Sequence, residues 1–338
     1  MSMTVLVCPQ PGELEIARRN RPERGPGEVL IRIRRVGMCG TDYHIFSGTQ
    51  PYLSYPRIFG HELSGEVVDG DEGGRFFAGQ IVSVMPYMFC GECVACRRGK
   101  TNCCRNIAVL GVHRDGGMAE YLSVDARYVL DATGLSLDEA AMVEFLAIGH
   151  HAVARGSVTA GQRVLVVGAG PIGLAVTVFA REAGGEVTVL DGNAARAAFA
   201  VERLGVRQAI ALEGDTGARL AEVSAGEFFD VVFDATGNAR AMAAGFAYVA
   251  HGGAYVLVSI VPGEISFDDP EFHKRETTLL GSRNATVEDF RAVIAAMRDG
   301  RVPTRAFHTH SAPLPALPER LPEWMRPEAG VIKAIVEL

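Results

Sequence analysis

Apolar residues recur along this chain with two different periods. Through residues 1–147 the apolar runs are short. Residues 29–34, Val-Leu-Ile-Arg-Ile-Arg, alternate toward their end, and 81–84 and 119–122 are similar short runs. Alternation with period two is the mark of a half-buried strand. Glycine and proline clusters at 24–27 and 69–74 punctuate these runs as turns. Near residue 135 the pattern changes. Residues 135–155 read as one helix, with Asp138 and Glu139 close to its start. Residues 163–167 are too uniformly apolar for a strand with one wet face, which predicts a covered parallel sheet. A helix over 171–183 follows, closed by Gly184-Gly185. Further strands are predicted at 186–190, 208–212, 230–234 and 254–258. Strands alternating with helices in this way predict a doubly wound parallel sheet. Beyond Leu280 the alternation stops. Thr286 and Asp289 open a last helix with Phe290, Val293, Ile294 and Met297 on one face. Residues 312–322, rich in proline and leucine, read as a loop, and 330–336 as a final strand.

The remaining composition narrows the class. The 338 residues are 48% hydrophobic and 22% charged, enough apolar material for two cores. The net charge is −7, and no long basic run occurs; Arg18-Arg19-Asn20-Arg21 is short and broken. Neither a nucleic-acid partner nor an anionic membrane surface is expected. The first residues lack a charged leader and a long apolar stretch, and no run of 18 apolar residues occurs, so a cytoplasmic protein is expected. Seven cysteines stand at 8, 39, 90, 93, 96, 103 and 104. An odd, clustered set in such a protein reads as metal binding rather than disulfides.

Three groups of residues carry chemistry. Gly168-Ala169-Gly170-Pro171-Ile172-Gly173 follows a predicted strand and opens a helix. Its glycines permit a tight turn, close approach of backbone to a pyrophosphate, and close packing of helix on strand. The helix N-terminus then offers free N–H groups to phosphate. The next strand ends at Asp191, an acid placed to accept hydrogen bonds from ribose hydroxyls and to repel a 2′-phosphate, which favours NAD over NADP. Arg196 reads equally as an adenine-stacking residue or a solvated helix residue. Thr236 and Arg283 complete the candidate cofactor residues. Cys90, Cys93, Cys96 and Cys104 supply four thiolates at the spacing of a closed, structural zinc site, with Cys103 competing for the fourth place. A nucleic-acid zinc module is disfavoured by the acidic chain. Cys39, His61, Glu62 and Glu144 are the third group. Cysteine, histidine and glutamate together can hold zinc and leave one position for an alcohol oxygen. Alone, each is an ordinary buried residue; their joint presence beside a dinucleotide motif is what counts.

With Gly37-Met38-Cys39-Gly40-Thr41-Asp42, Gly60-His61-Glu62, the cysteine loop, the glycine-rich turn and Gly281-Ser282-Arg283-Asn284 in this order, the whole chain resembles the zinc-containing medium-chain dehydrogenase/reductase family. The likeness is greatest to its polyol and sugar-acid branch of sorbitol, threonine and galactonate dehydrogenases. The resemblance implies a GroES-like β-barrel catalytic domain, residues 1–147 completed by 281–338. It implies a Rossmann NAD-binding domain over 148–280, with the active site in the cleft. It makes Cys39 and His61 zinc ligands, with Glu62 or Glu144 as the third. Asp42 would orient His61, and Thr41 and His44 would relay a proton, although an exposed loop histidine is the plainer reading of His44. Two Zn2+ ions per chain and NAD are the implied cofactors, a small hydroxylated molecule the substrate, and a homodimer or homotetramer the assembly. Arg283 is assigned either to clamping a substrate carboxylate or to binding hydroxyls or Glu144. Phe145 departs from the proline common in polyol dehydrogenases. Two other readings stand beside this one. A regulatory NAD-binding protein would be expected to have lost a ligand or relay residue, and a zinc-free quinone reductase would lack the cysteine loop; neither loss is seen.

Overall fold

A computed structural model describes all 338 residues. The chain divides into two compact units. One comprises Met1–Phe145, Thr286–Gly300 and Phe307–Leu338; the other comprises Leu146–Ala285 with Arg301–Ala306.

The first unit is built on a bulged, mainly antiparallel sheet. Its strands run in the hydrogen-bonded order His308–Pro313, Lys333–Glu337, Glu28–Gly37, Glu62–Asp69, Ile81–Val84, Val129–Asp131, and Tyr121–Asp125 also pairs with Glu28–Gly37. The long strand Glu28–Gly37 slips register against Glu62–Asp69 at Leu30/Ile31 and again at Ile33/Arg35. Each slip is a bulge that bends the strand and raises its twist, which is how a sheet begins to curl. It also explains why the sequence alternation there is imperfect. Val29, Ile31 and Ile33 face the core, but Leu30 is buried too. The chain returns at its end: Lys333–Glu337 lies antiparallel to the close of Glu28–Gly37, with Ile335 opposite Gly37.

The second unit is a six-stranded parallel sheet in the order Gln208–Ala211, Glu186–Asp191, Arg163–Val167, Phe229–Asp234, Val249–Leu257, Thr278–Gly281. The order reverses beside Arg163–Val167, the switch point at which doubly wound sheets bind ligands. Leu165, Val167, Leu190, Ile210, Leu220, Val232 and Tyr255 form a core between sheet and helices. The helix Ala194–Leu204 is bounded by local chemistry. Asn193 caps its N-terminus by accepting from Ala195 and Arg196 N–H, and Gly205 closes it at φ 64°.

Three expectations need correction. Residues 135–155 are two helices, Leu137–Ala141 and Val143–Gly156, because the first closes at Met142 after a Ser136/Glu139 capping box. The strand expected at 254–258 begins at Val249; Gly252 and Gly253 hide its first half by interrupting the apolar run. Residues 312–322 are not a loop. Leu317–Trp324 is helical, with a proline in its first turn, where no N–H is required, and Leu317, Leu321 and Trp324 buried at helical spacing. No helix is long and apolar enough to cross a membrane.

Candidate active site and metal centres

The strand Glu28–Gly37 delivers Cys39 to the N-cap of a short helix, Gly40–Phe46. Asp42, in that helix's first turn, folds back so that its Oδ2 accepts the Cys39 N–H at 2.8 Å. Its Oδ1 lies 3.7 Å from His61 Nδ1. Strand pairing sets Glu62, the first residue of its strand, opposite Gly37, and His61 immediately before it arrives beside Cys39 as well. Ligand atoms of Cys39, His61 and Glu62 lie within 4.8 Å of one another. Glu144 enters from the first turn of Val143–Gly156 and is 2% exposed. Its Oε1 accepts a hydrogen bond from the Tyr87 hydroxyl, and its Oε2 is buried without a partner.

Sequence reasoning missed two residues here, Tyr87 and Lys333. Lys333 is 1% exposed, and its Nζ donates to both Glu62 oxygens, at 2.6 and 2.7 Å, and to the Met38 carbonyl at 3.0 Å. The signal was a single charge inside the otherwise apolar run 331–336, at the start of the last strand.

The electrostatics fit a bound cation. Burial pushes the Asp42 carboxyl up, and pushes Glu62 up to about 7 against the pull of Lys333. Burial and the Glu144 charge push the Tyr87 hydroxyl up, so Tyr87 stays a donor. Burial alone would lower His61 and Lys333, yet Asp42 raises the one and Glu62 the other above their ordinary values. Acidic groups thus outnumber the one buried lysine. Asp42 Oδ1 and His61 Nδ1 are buried facing each other at 3.7 Å, and Glu144 Oε2 is buried without a hydrogen bond. Each such atom costs about 1–3 kcal/mol if nothing reaches it. A cysteine sulfur, an imidazole and a carboxylate within 4.8 Å of one another suit a zinc ion that keeps an open position. Thr41 is half-buried in the same short helix, and His44 is exposed, its Nδ1 2.8 Å from Thr49 Oγ1.

The cysteine loop lies elsewhere in the first unit, on the short helix Val94–Arg97 and the turn Thr101–Cys103. The sulfurs of Cys90, Cys93, Cys96 and Cys104 lie within 4.8 Å of one another. Cys93 and Cys96 are 3.5 Å apart, as are Cys90 and Cys104. Zn–S bonds of about 2.3 Å in a tetrahedron put sulfurs roughly 3.8 Å apart, so the group matches the ion in size. Cys104 is buried in the cluster, while Cys103 is exposed. Backbone N–H bonds hold the Cys93 thiol down to about 6 and also lower Cys90, while burial pushes Cys96 up to about 12.

In the second unit, Gly168 adopts φ +97° and Gly170 caps Pro171–Glu182, with Pro171 in the first turn. A Cβ at Gly173 would sit 1.7 Å from the Gly168 carbonyl oxygen, so helix and turn touch through bare backbone, whereas a Cβ at Gly170 would meet nothing. That open, N–H-rich edge fits a pyrophosphate. Ile172 follows Pro171 in the same turn. Asp191 closes its strand and is oriented by Ala169 N–H at 2.5 Å and Asn193 N–H at 2.6 Å. Thr236 bonds Asp234 through both its N–H and its hydroxyl, at 2.9 and 2.8 Å. Arg196 and Arg283 are exposed.

A curled sheet holding a thiolate, imidazole and carboxylate cluster, together with a separate dinucleotide fold, defines a metal-binding, nicotinamide-dependent dehydrogenase. Comparison with known proteins agrees. Residues 25–134 match the alcohol dehydrogenase GroES-like domain, and 171–299 the zinc-binding dehydrogenase domain. The chain is 43% identical to L-galactonate-5-dehydrogenase of Escherichia coli K12, over 99% of both chains. An alcohol dehydrogenase of Escherichia coli CFT073, solved with NADH, superposes with a TM-score of 0.93 at 27% identity, covering 100% of this chain and 99% of that one. A zinc-binding-dehydrogenase homologue of Sinorhizobium meliloti 1021 bound to NADP superposes with a TM-score of 0.93 at 27% identity, covering both chains fully. The chain belongs to the zinc-containing medium-chain dehydrogenase/reductase family and is an oxidoreductase of CH–OH donors using zinc and a nicotinamide cofactor.

Proposed function

We propose that this enzyme oxidises a secondary hydroxyl of a sugar acid with NAD, using one zinc beside Cys39 and His61 and a second, structural zinc among Cys90, Cys93, Cys96 and Cys104. The observation that carries the chemistry is the cluster of half-buried Cys39 with buried His61 and Glu62, whose ligand atoms lie within 4.8 Å of one another. Support for the substrate class comes from the 43% identity to a galactonate dehydrogenase over nearly the whole chain. The choice of NAD is supported by Asp191, whose carboxylate is oriented at the strand end where a 2′-phosphate would meet its charge.

Zinc, when bound, supplies a Lewis acid that lowers the pKa of the substrate hydroxyl, and NAD supplies the hydride acceptor. Cys39, His61 and a glutamate hold the ion. The Asp42 carboxylate lies 3.7 Å behind His61 Nδ1, where its charge favours a proton on that nitrogen and leaves Nε2 for the metal. Thr41 receives the hydroxyl proton, and His44, at the exposed end of the same short helix, returns it to water. Arg283 is assigned to the substrate carboxylate, which a guanidinium engages with two parallel hydrogen bonds.

The test has two parts. Metal analysis of the purified enzyme is expected to give two zinc per chain. An assay of NAD reduction over aldonates, neutral polyols and simple alcohols is expected to favour aldonates, with Arg283→Met raising their KM selectively. Neutral polyols turning over much faster would overturn the sugar-acid reading, and metal-free protein would overturn the zinc chemistry.

A further inference from the structure

The helix Val287–Arg298 presents two adjoining faces. Phe290, Val293 and Met297 enter the core, whereas Val287, Arg291, Ile294 and Arg298, also at helical spacing, line a groove of about 570 Å³. The opposite wall comes from the same unit, from Arg75, Arg127 and the strand Val129–Asp131. The floor is apolar, with Met85, Val129, Leu130 and Ile294 all buried. The rim is basic: exposed arginines stand at 75, 127, 291 and 298, and Asp131 is the only acid lining the groove. Asp131 is already committed. Its Oδ1 accepts from Gln80 Nε2 and the Thr133 N–H, each at 3.0 Å, and Arg298 reaches its Oδ2 at 3.4 Å. Arg127 pairs with Asp125 at 2.9 Å. Arg75 donates to the carbonyls of Ala126 and Val129, at 2.6 and 3.4 Å, and to no carboxylate. Arg291 makes no hydrogen bond or ion pair, so its whole guanidinium fork is free. Arg75 and Arg291 thus hold unmatched positive charge above an apolar floor, in a chain whose net charge is −7.

Floor and rim call for different parts of one ligand. Water hydrates the guanidiniums, but the apolar floor gains by leaving it. A wholly apolar molecule would cover the floor and leave the charges unused. A groove of this volume suits a small molecule. Two of the guanidiniums are also held in place. The Arg75 guanidinium carbon lies 4.8 Å from the centre of the Phe76 ring, and Arg298 donates to the carbonyls of Thr133 and Asp131, at 2.8 and 3.1 Å. Planar guanidiniums bind carboxylate and phosphate through paired N–H donors. We propose that this groove is a binding site for a small amphipathic anion, an aryl or alkyl body carrying one carboxylate or phosphate. The body lies on Met85, Leu130 and Ile294, and the acid meets the arginine rim, where Arg291 is the free guanidinium. None of the lining residues belongs to the two metal centres or to the glycine-rich turn, so the proposal does not rest on the reaction assigned above.

The experiment is equilibrium dialysis of the full enzyme, with NAD saturating, against naphthoate and naphthyl phosphate. Neutral naphthamide and inorganic phosphate serve as the two halves of the ligand. At least one naphthyl anion is expected to bind once per chain, with naphthamide and inorganic phosphate at least tenfold weaker. Binding is expected to weaken as salt rises from about 0.05 M to about 0.5 M. Arg291→Glu, a change at an exposed position, is expected to weaken the anion at least tenfold while dehydrogenase activity stays within twofold, which also shows that the variant folds. Arg283→Met is expected to leave anion binding unchanged. The proposal is overturned if neither anion binds at about 1 mM, if Arg291→Glu binds as the unaltered enzyme does, or if naphthamide or inorganic phosphate matches the anions. It is likewise overturned if Arg283→Met rather than Arg291→Glu abolishes binding, since the probe would then sit at the substrate arginine. Sedimentation supplies the last arm: if Arg291→Glu splits the assembly into smaller oligomers, a second copy of the chain is the occupant and the small-molecule site falls.

Discussion

The cysteine loop and the Cys39 cluster belong to the same unit and both gather metal-ligating side chains, but over very different spans of sequence. The loop takes four thiols from residues 90–104, carries them on a four-residue helix and a single turn, and leaves three of the four half-exposed. The other cluster takes Cys39 from one strand end, His61 and Glu62 from the next strand, Glu144 from a helix and Lys333 from the last strand. All of these but the half-buried Cys39 are buried. In the loop all four ligands are of one kind, and backbone N–H groups, burial and the neighbouring thiols tune them. In the other cluster three of the four candidates each face a different side chain: Asp42 beside His61, Tyr87 on Glu144, Lys333 on Glu62. Short spacing suffices for a shell that only has to close. A shell that must stay open on one side, with each ligand in a fixed orientation, needs partners that only the tertiary fold can bring.

The largest expected effect follows from removing a ligand of the buried cluster. Cys39→Ala or His61→Ala should lower kcat/KM by at least about a thousandfold, since the charge-stabilising contact to the reacting oxygen is lost along with the ion. Metal analysis should then find one zinc per chain, retained by the cysteine loop. Loss of both ions would break the comparison, because it would show that the two centres form one cooperative unit. Next comes Asp42→Asn. The amide keeps the hydrogen bond from Cys39 N–H but loses the charge facing His61 Nδ1. Such partners typically carry 10–100-fold in metal affinity or rate, so chelator competition should show roughly that loss at the buried centre alone. A smaller effect, on the order of tenfold in kcat, is expected for His44→Asn. General acid–base groups contribute more when they alone reach the proton, but His44 is exposed, and water can replace it. A loss of a thousandfold there would show that the proton has no other exit.

The two centres also differ in how much of them could be read from the sequence. The loop's spacing was enough to predict a closed four-sulfur group, yet not to choose between Cys103 and Cys104. That choice depends on the 3₁₀ turn Thr101–Cys103, which points one residue outward and buries the next. The parallel sheet was legible because strands covered on both faces are apolar without interruption, as in Arg163–Val167. Where glycines interrupted the apolar run, at Gly252 and Gly253, half a strand was missed. Cys39, His61, Glu62 and Glu144 could be listed as candidates, but the roles of the two glutamates could not be separated. What distinguishes their surroundings is Lys333 on Glu62 and Tyr87 on Glu144, which lie far away in sequence and reach the site through strand pairing and packing. Residue type and spacing do not encode that; register does. The helix Leu317–Trp324 was concealed for a more local reason, since its prolines outweighed the helical spacing of Leu317, Leu321 and Trp324.

The smallest effects on chemistry, and the cleanest contrast, are expected in the loop. Cys104→Ser removes a sulfur that lies 3.5 Å from Cys90 and accepts the Cys90 N–H at 3.3 Å. A serine hydroxyl is a poor substitute for a thiolate on zinc, so metal content should fall from two ions to one. If the closed shell contributes about 2–3 kcal/mol to the unit, the thermal midpoint should drop by roughly 5–10 °C. The rate per folded molecule at 25 °C should change only severalfold, because no loop residue touches the buried cluster's ligands. Cys103→Ser is the control: its thiol is exposed, and neither metal content nor midpoint should move. Were Cys103→Ser, and not Cys104→Ser, to release the ion, the turn at Thr101–Cys103 would have to rearrange on metal binding. The loop would then resemble the buried cluster in needing tertiary structure to select its ligands, and the contrast between the two centres would narrow to burial alone.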